Sequence, residues 1–382
     1  MVDGEAQLAP HLPAWDELAI ACGRPFCLSG WMLAWWREAE EAIGDLRVVL
    51  VFEGGDLIGV GPFFAKPTLG LIDLRLLGAG FSHRIGPLAR PGDEERVAAA
   101  LAPALSSLDP QPNSVVFEGV DLGDDWPALI GRHWPGRAPR IRCDATMDAP
   151  TIGLEGGYES WFGRRSRNFR KGARRRAKRL EEAGVRERLT SDPAAIAALL
   201  SLHRARWHER GGSDLDPGAE QVLRAAAEQL AAQDLLQVVI LEGPDGPISA
   251  ELMVRAGRAA TLWSGGFDPE WSSLAPGTSS ILAALREAAD HSVLSVDLGG
   301  GGDDYKQRLA DDNRPIASQT LFPRGARYPL IRMRLAPKHT KHAMRRYSQH
   351  LPDPVRRMAK RLVARRSYLH SLAPLALMPP PV

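Results

Sequence analysis

The chain has 382 residues, of which 44% are hydrophobic and 25% are charged. These are ordinary values for a globular protein, and they exclude a collagen-like or wholly disordered chain. The length predicts two domains with additional segments, because single cores rarely grow beyond about 250 to 300 residues. The net charge is only +2.

Two basic segments hide an acidic remainder. Residues 161–180 contain ten Arg or Lys and no acid, and residues 324–382 contain fourteen Arg or Lys against the single acid Asp353. Outside these segments 24 basic residues face 45 acidic ones, a net charge of −21. Because an acidic remainder disfavours a broad nucleic-acid footprint, we expect no nucleic-acid partner.

Cysteine usage and the N-terminus bear on location. Cys22, Cys27 and Cys143 form no CxxC pair and no metal-ligand spacing with His, so we expect a cytoplasmic protein without a metal site. The start, MVDGEAQLAP, lacks the basic and apolar regions of a signal peptide. The most apolar region, residues 57–81, is interrupted by charges, Gly and Pro, and predicts buried strands and turns rather than a membrane span.

The predicted elements repeat in the same order along the chain. The first set is a helix at 29–42, a hairpin at 46–60, the strands of 57–81, an alanine-rich helix at 95–108 and a strand within 114–126. The second set follows a basic helix at 158–183, and consists of a helix at 194–210, a hairpin at 236–252, a helix at 278–289 and a strand within 292–305. The hairpins LRVVLVFEGGDLIGV and LQVVILEGPDGPISAEL resemble each other, as do SVVFEGVDLGDDW and SVLSVDLGGGGDDY. This order indicates a duplication.

Over residues 14–323 the sequence resembles the GNAT acyltransferase fold in tandem. The similarity is to acetyltransferase-like proteins linked to bacterial cellulose and exopolysaccharide synthesis, which are related to the FemAB peptidoglycan aminoacyl transferases. It rests on RRSRNFRKGARRRAKRLEEAGV, LHRARW, PISAEL, GGFDPEWSSLAPGTSSIL and VDLGGGGDDYKQRL. The resemblance implies an α/β (α+β) fold with two GNAT-like domains, each a mixed, mostly antiparallel sheet flanked by helices. We expect a degenerate domain at 1–148, an acyltransferase domain at 149–323 and a basic helical tail at 324–382.

A donor-binding loop is predicted before the helix at 278–289. Unpaired N–H groups and the dipole at a helix start attract phosphate. The acid-free candidates at this start are Pro276, Gly277, Thr278, Ser279 and Ser280. The equivalent ARPGDEERV of the first domain contains Asp93, Glu94 and Glu95, which would repel a phosphate. An ordinary helix cap is the alternative for the loop, but the repeat favours donor binding in the second domain.

Catalytic candidates follow from the resemblance and from general acid–base chemistry. The resemblance implies that Tyr305 protonates the departing thiolate and that Lys306 assists a phosphate or the oxyanion; simple packing is the alternative for Tyr305. For the general base the candidates are Glu251 and Asp297, with His203 or His208 less favoured. Substrate-binding candidates are His203, Trp207 and Arg170. An outward-facing strand carboxylate remains the alternative for Glu251.

The two basic segments predict surfaces for anions. In the helix at 158–183 a narrow apolar seam (Phe162, Phe169, Ala173 and Leu180) leaves a wide cationic face for the 3′-phosphate of CoA, an acyl carrier protein or an anionic saccharide. Residues 355–372 have the pattern of a basic amphipathic helix, which predicts peripheral contact with an anionic membrane at its inner face. A disordered basic tail is the alternative.

Together these patterns predict an acyltransferase. We expect acyl transfer from acyl-CoA, such as acetyl-CoA, to an amine or hydroxyl of a sugar-containing acceptor in polysaccharide or cell-envelope biosynthesis. Acyl carrier protein and aminoacyl-tRNA remain alternative donors. A non-catalytic protein of the same fold that binds anionic glycan or RNA is the competing hypothesis.

Overall fold

The computed structural model describes residues 1–39, 44–68, 70–208, 218–301, 303–325 and 328, without the side chains of Asp144, Ala145, Pro193, Trp207 and His208. Residues Met1–Arg324 form one compact unit. We call residues 1–148 the first half and residues 149–324 the second half. The predicted amphipathic helix at 355–372 lies outside the described residues.

Both halves contain helices that flank a sheet. Those of the first half are α1 (Glu5–Leu8), α2 (Leu12–Ala21), α3 (Ser29–Glu38), α4 (Glu94–Ser106) and α5 (Trp126–Arg132). Those of the second half are α6 (Gly157–Arg164), α7 (Arg167–Glu182), α8 (Pro193–His208), α9 (Ala219–Leu230), α10 (Pro276–Asp290) and α11 (Asp304–Leu309).

Strands of the chain form two seven-stranded sheets. The strands are β1 (Asp45–Glu53), β2 (Asp56–Thr68), β3 (Leu71–Leu76), β4 (Leu88–Ala89), β5 (Ser114–Asp121), β6 (Arg140–Met147), β7 (Pro150–Gly153), β8 (Arg186–Thr190), β9 (Leu236–Gly243), β10 (Gly246–Ala256), β11 (Ala259–Phe267), β12 (Ser295–Asp297), β13 (Asp312–Asn313) and β14 (Ile316–Phe322). The first sheet has the order β1-β2-β3-β5-β14-β6, with β4 beside β2, and the second has the order β13-β7-β12-β11-β10-β9-β8.

The predicted duplication is confirmed in the layout of the sheets. Each half has an antiparallel hairpin, β1–β2 or β9–β10, followed by a third strand, a helix and a strand that pairs parallel with the third. All other pairings are antiparallel within the described strands. The apolar region at 57–81 forms β2 and β3, as predicted. The result is a tandem pair of mixed, mostly antiparallel sheets flanked by helices.

One strand crosses between the halves. β14 belongs to the second half in sequence, but it lies in the first sheet between β5 and β6. The predicted domain range 149–323 therefore does not correspond to one sheet. Because the two strands flanking β14 come from the first half, the C-terminal end of the second half completes the first sheet.

A shared hydrophobic core joins the halves. One cluster contains Trp15, Trp31 and Trp35 of the first half together with Leu223 and Ile240 of the second. Helices α3 and α9 pack closely: a Cβ at Gly30 would lie 2.8 Å from the Cβ of Gln229. The halves therefore bury apolar surface against each other, while a second cluster, which includes Ile152, Trp161 and Leu285, lies within the second half alone.

The basic stretch is two helices rather than the single helix predicted at 158–183. The extended backbone of Arg165 ends α6, and the hydroxyl of Ser166 accepts a hydrogen bond from the Phe169 amide to begin α7. The predicted seam is confirmed, since Phe162, Ala173 and Leu180 are buried. Serine is a common helix N-cap, so Ser166 was a local signal that a new helix begins there. The dense basic charge on both sides of Ser166 made this signal easy to overlook.

Candidate active site

The second sheet opens between β11 and β12. Three residue pairs join these parallel strands, the last of which is Thr261 with Asp297. β12 ends there, whereas β11 continues to Phe267. A bulge in the pairing of β10 with β11 falls close to the point where the strands part. The edge of β11 beyond Thr261 therefore faces an opening in the described part of the second sheet.

Helix α10 begins at the far end of this opening. A Cβ at Gly277 would lie 3.0 Å from Cδ1 of Phe267, the last residue of β11. The Thr278 amide donates to the Ala275 carbonyl, and the first turn contains no acidic side chain. Because the positive end of the helix dipole lies here, the half-exposed turn of Gly277, Thr278 and Ser279 is suited to an anion.

Two residues of the predicted donor loop do not face this turn. Ser280 is fully buried, and its hydroxyl hydrogen bonds to Ser249 Oγ at 3.0 Å and to the Gly277 carbonyl at 3.1 Å. Pro276 is also buried. Because the Ser280 hydroxyl is buried and ties α10 to β10, this geometry disfavours a contact between Ser280 and the donor.

The corresponding helix start in the first half is occupied by its own acids. Asp93 pairs with Arg90 at 2.6 Å and with Arg96 at 2.9 Å. The Gly92 amide donates to the Glu94 carboxylate at 3.0 Å. A phosphate would meet these carboxylates instead of free amides. The electrostatic contrast between the two helix starts, predicted from the sequence, is thus present in the fold.

Glu251 projects from β10 at the opening. A Cβ on its cross-strand neighbour Gly265 would lie 2.0 Å from Glu251 Oε2, so only glycine leaves room for this side chain. Glu251 is 6% exposed. Burial raises the pKa of its carboxyl to about 8, although Arg206 and Lys306 act to lower it. The carboxyl is mostly protonated at neutral pH and becomes a base in mildly alkaline solution.

Arg206 of α8 joins Glu251 to Tyr305. Its guanidinium carbon lies 5.2 Å from the ring centre of Phe267 and 5.8 Å from that of Tyr305, and Nη1 donates to the Gly265 carbonyl at 3.3 Å. Burial and the nearby Glu251 raise the pKa of Tyr305 to about 12, while Arg206 opposes the rise. The phenol therefore keeps its proton at neutral pH and is available as a hydrogen-bond or proton donor.

The ammonium of Lys306 is held by the loop that contains Gly299 and Gly300, which we call the glycine loop. Nζ donates to the carbonyls of Gly300 at 2.8 Å and Gly299 at 3.4 Å. The side chain is buried, and this burial lowers its pKa, although Asp303, Asp297 and Glu251 favour the charged form. The predicted contact of Lys306 with a donor phosphate is not what this geometry favours, because the ammonium holds the loop beside the opening.

Asp297 is committed to an ion pair between the halves. Its carboxylate accepts hydrogen bonds from Arg84 Nε and from the Gly299 amide, the latter at 2.6 Å. Arg84 also bonds to Asp121 of the first half at 2.8 Å. Because this carboxylate is already paired with Arg84 and bonded to the Gly299 amide, the geometry disfavours Asp297 as the general base.

The predicted substrate-binding residues have different surroundings. Arg170 donates to the carbonyls of Gly163 and Arg165, the latter at 3.0 Å, and thereby caps the C-terminal end of α6. These hydrogen bonds give Arg170 a structural role in the described chain, and substrate binding by Arg170 stays a prediction. His203 is buried on α8, with its backbone against Gly266. The side chains of Trp207 and His208 lie outside the described residues.

The outer face of α6 and α7 is strongly cationic. The exposed basic residues are Arg164, Arg167, Lys171, Arg174, Arg175, Lys178 and Arg179. Of these, only Arg164 and Lys178 have a carboxylate within 4.0 Å in the described chain. The remaining charges are available to an anionic partner.

Comparison of the chain with models of known families identifies a similarity that fits this geometry. Residues 167–307 match the family model "Acetyltransferase (GNAT) domain". The second half has the GNAT fold. The matched segment begins with α7, includes the opening, and ends within α11. A search of curated proteins finds no match to this sequence.

Solved structures extend the similarity of fold to both halves. FemX superposes with a TM-score of 0.62 at 11% identity, covering 84% of this chain and 98% of that chain. A protein of unknown function from Bacteroides thetaiotaomicron VPI-5482 has a TM-score of 0.51 at 10% identity, covering 84% and 97%. A tandem GNAT protein from the clavulanic acid biosynthesis pathway is more distant, with a TM-score of 0.42 at 15% identity, covering 84% and 97%. At these identities the similarity shows the fold alone.

Within the described residues, no helix is both long and apolar enough to cross a membrane, and no group of His, Cys, Asp or Glu is arranged to hold a metal ion.

Sequence reasoning found Glu251 and Tyr305 but missed Arg206 between them. The LHRARW segment that carried the resemblance contains Arg206, but nothing in its spacing shows that this arginine, rather than Arg204, turns toward β11. Arg84 was also missed, because its partners Asp121 and Asp297 are remote in sequence.

Proposed function

We propose that the second half transfers an acyl group from a thioester, with acyl-CoA as the donor, to an amine or hydroxyl. The observation that carries this proposal is the arrangement at the β11–β12 opening. An acid-free helix start lies at one end, and Glu251, Arg206 and Tyr305 meet beside it. A helix start suited to an anion and side chains suited to acid–base chemistry thus lie together in one half.

In this proposal the donor lies along the opening. Its pyrophosphate binds the first turn of α10 around Gly277, where the helix dipole and a first turn without acidic side chains favour negative charge. Amide groups of the pantetheine arm pair with the free edge of β11, as an added strand would. This places the thioester near the cluster of Glu251 and Tyr305.

The chemistry follows from the protonation states of the cluster. The acceptor nucleophile forms a bond to the thioester carbonyl carbon, and the Glu251 carboxylate takes the proton that the nucleophile loses. The carbon–sulfur bond then breaks, and Tyr305 gives its proton to the departing thiolate. Because the pKa of Glu251 is about 8, the base form becomes abundant only as the pH rises toward that value.

For the acceptor and cellular setting the proposal remains the one drawn from the sequence. We propose a sugar-containing acceptor in polysaccharide or cell-envelope biosynthesis, as the narrower resemblance implies. An acyl carrier protein is the alternative thioester donor. Peripheral contact with an anionic membrane through residues 355–372 would place a cytoplasmic enzyme near lipid-linked saccharides.

The second candidate donor is aminoacyl-tRNA. It is favoured by the superposition on FemX and by the unpaired cations of α7, including Arg167, Lys171, Arg174, Arg175 and Arg179. A polyphosphate ligand would neutralise several of these charges at once, and its binding would fall steeply with salt.

The proposal is tested at Gly277. We expect Gly277→Asp to abolish acetyl-CoA binding in calorimetry, because the carboxylate meets the pyrophosphate at the helix start. Gly277→Asn is the matched control: it adds nearly the same volume near Phe267 without charge, so it retains most of the affinity. Equal loss in both variants would show that steric fit, not charge, decides. If the wild-type protein does not bind acetyl-CoA but hydrolyses aminoacyl-tRNA, the result would favour aminoacyl-tRNA as the donor.

A further inference from the structure

Helix α7 presents a continuous line of cations on its exposed side. Arg167, Lys171, Arg174 and Lys178 follow one another at spacings of four, three and four residues, and all of them are exposed. This spacing places their side chains in one line over about three turns of the helix. We call these four residues the cationic stripe.

The charges of the stripe repel one another within its own helix. Like charges three or four residues apart destabilise a helix. In the described chain Lys178 pairs with Glu182 of the same helix at 3.7 Å, and both side chains are exposed, whereas the other three members of the stripe have no carboxylate partner. No large apolar side chain of α7 is exposed beside them. The face therefore suits a partner that brings negative charge rather than an apolar surface.

The end of α7 packs beside the approach to the donor site. Leu180 lies in one apolar cluster with Leu274, and the half-buried Trp271 packs against that cluster. Both belong to the turn at Pro269–Leu274, which contacts α7 and ends three residues before Gly277. A partner seated on α7 would therefore lie next to the start of α10.

The donor site itself has little positive charge. Residues 259–285, which include β11 and the first turns of α10, contain no Lys or Arg. Arg206 lies nearby, but it stacks on Phe267 and donates to the Gly265 carbonyl. CoA carries a pyrophosphate and a further phosphate on its ribose, whereas the phosphopantetheine arm of a carrier protein carries a single phosphodiester. A lone helix start is sufficient for the phosphodiester.

Acidic side chains separate the stripe from the donor site. Glu181 and Glu182 follow it at the end of α7, and Glu270 lies in the turn before α10; all three are exposed. A nucleic acid carries a charge at every nucleotide up to its reactive end, so it needs cations along its whole path. A carrier protein has its charge on the protein body, and its arm is neutral beyond the phosphodiester. The order of charges therefore favours a carrier protein.

We propose that the cationic stripe docks the acidic surface of an acyl carrier protein, whose phosphopantetheine arm passes the turn at Pro269–Leu274 and enters the β11–β12 opening. The inference rests on the proposed acyl transfer and adds the partner that presents the thioester. The carbon–sulfur bond of the arm's thioester breaks, the acyl group passes to the acceptor, and the thiol, protonated by Tyr305, stays on the carrier. Acetyl-CoA brings the same arm to the opening without a protein body on the stripe.

The test compares two donors for the full-length protein, acetyl-CoA and an acetyl-loaded bacterial acyl carrier protein. Lys171→Glu combined with Arg174→Glu reverses the charge in the middle of the stripe. Arg137→Glu combined with Arg140→Glu is the matched control, because these arginines are exposed in the first half and the change in net charge is the same. Thioester cleavage is followed by thiol release, with and without glucosamine as acceptor.

We expect the stripe variant to raise the KM for the acetyl-loaded carrier by about tenfold or more, and the KM for acetyl-CoA much less, because the lost charges face the protein body of the carrier. In wild type the KM for the carrier should rise with salt, and the stripe variant should lose most of this dependence. Carrier protein without its arm should bind wild type but not the stripe variant in calorimetry. The control variant should match wild type.

The outcomes separate docking from the proposed function. Wild type that cleaves acetyl-CoA but neither binds nor cleaves the acetyl-loaded carrier overturns the docking alone, and so do equal changes in KM for both donors in the stripe variant. Wild type that cleaves neither thioester overturns the transferase proposal and, with it, this one. Binding of tRNA or polygalacturonate that depends on the stripe, without binding of the carrier, would assign the stripe to another polyanion and overturn the docking.

Discussion

Glu251 is the residue whose chemistry depends most on its surroundings. An ordinary glutamate is ionised at neutral pH, but burial against Gly265 raises the pKa of this one to about 8. Arg206 and Lys306 keep the shift from being larger. The same residue type on β9 of this sheet, Glu242, is half-exposed and pairs with Arg188 of β8.

We expect Glu251→Gln to lower kcat/KM by about 10²- to 10⁴-fold, the range for loss of a general base. In wild type, kcat/KM should rise with pH to a midpoint near 8, because only the ionised carboxylate accepts a proton. The variant should lose that rise. Steady-state kinetics from pH 6 to 9.5 measure the rise of kcat/KM with pH in wild type and in the variant. Glu242→Gln is the control and should keep the wild-type rise. A wild-type profile in Glu251→Gln would remove this carboxylate from the mechanism.

The same shift has a consequence for stability. Because the folded-state pKa is above the unfolded value of about 4.5, the folded state binds more protons between pH 4.5 and 8, and its stability falls as the pH rises through that window. Each pKa unit corresponds to about 1.4 kcal/mol. Urea unfolding at pH 5.5 and 8.5 should show a steeper loss for wild type than for Glu251→Gln, and parallel curves would contradict the raised pKa.

Among the elements, β11 is the one whose glycines create the site. Gly265 leaves room for Glu251, and its neighbour Gly266 lets α8 approach the strand. A Cβ at Gly266 would lie 2.2 Å from the His203 nitrogen and 2.4 Å from the Leu202 carbonyl carbon. Since these are backbone atoms, no side-chain rotation relieves the contact. Arg206 reaches the opening because α8 is this close.

Gly266→Ala should therefore displace α8 and destabilise the fold by about 1 to 3 kcal/mol, the usual cost of overpacking. Activity should fall further than stability explains, because Arg206 moves with the helix. Chemical denaturation and kinetics at a temperature where the variant is folded measure the two effects. Gly163→Ala in α6 is the control, since a Cβ there meets nothing within 4 Å. Equal unfolding free energies for the two variants would show that the packing of α8 against β11 does not depend on the missing Cβ at Gly266.

At the scale of the whole molecule, the halves are joined by a core and by a buried ion-pair network. Arg84 is at the centre of the network, bonded to Asp297 of the second half and to Asp121 of the first. Arg314 and Arg24 also contact Asp121, at 2.6 Å and 3.9 Å. Because the shared core and the crossing strand β14 also connect the halves, we expect them to unfold together.

Arg84→Met should lower the unfolding free energy by about 3 to 5 kcal/mol, because it leaves the buried Asp297 carboxylate without its arginine and removes one of the arginines around Asp121. Arg90→Met removes an exposed arginine that pairs with Asp93, and should lower the unfolding free energy much less than Arg84→Met does, because water screens an exposed ion pair. Urea titration followed by fluorescence and circular dichroism measures both. Similar losses in the two variants, or separate transitions for the two halves, would contradict this account of the network.

Local patterns in the sequence predicted the repeated order of elements, and the resemblance to a known family implied the tandem fold. Alternation and Gly-rich turns predicted the hairpins β1–β2 and β9–β10, and helical spacing predicted α4 and α10. The contrast between an acidic and a neutral helix start was likewise visible, since it concerns residues within one turn. Such features are encoded by neighbours in sequence, so periodicity and turn chemistry reveal them.

The tertiary structure alone decided which side chains meet. It placed β14 in the first sheet, buried Ser280 against Ser249, and paired Asp297 with Arg84, which is remote in sequence. It also brought His83 of the first half to the glycine loop of the second. Contacts of this kind leave no period or spacing in the chain, because their energy depends on burial and on the approach of distant segments, and those exist only once the two halves have packed together.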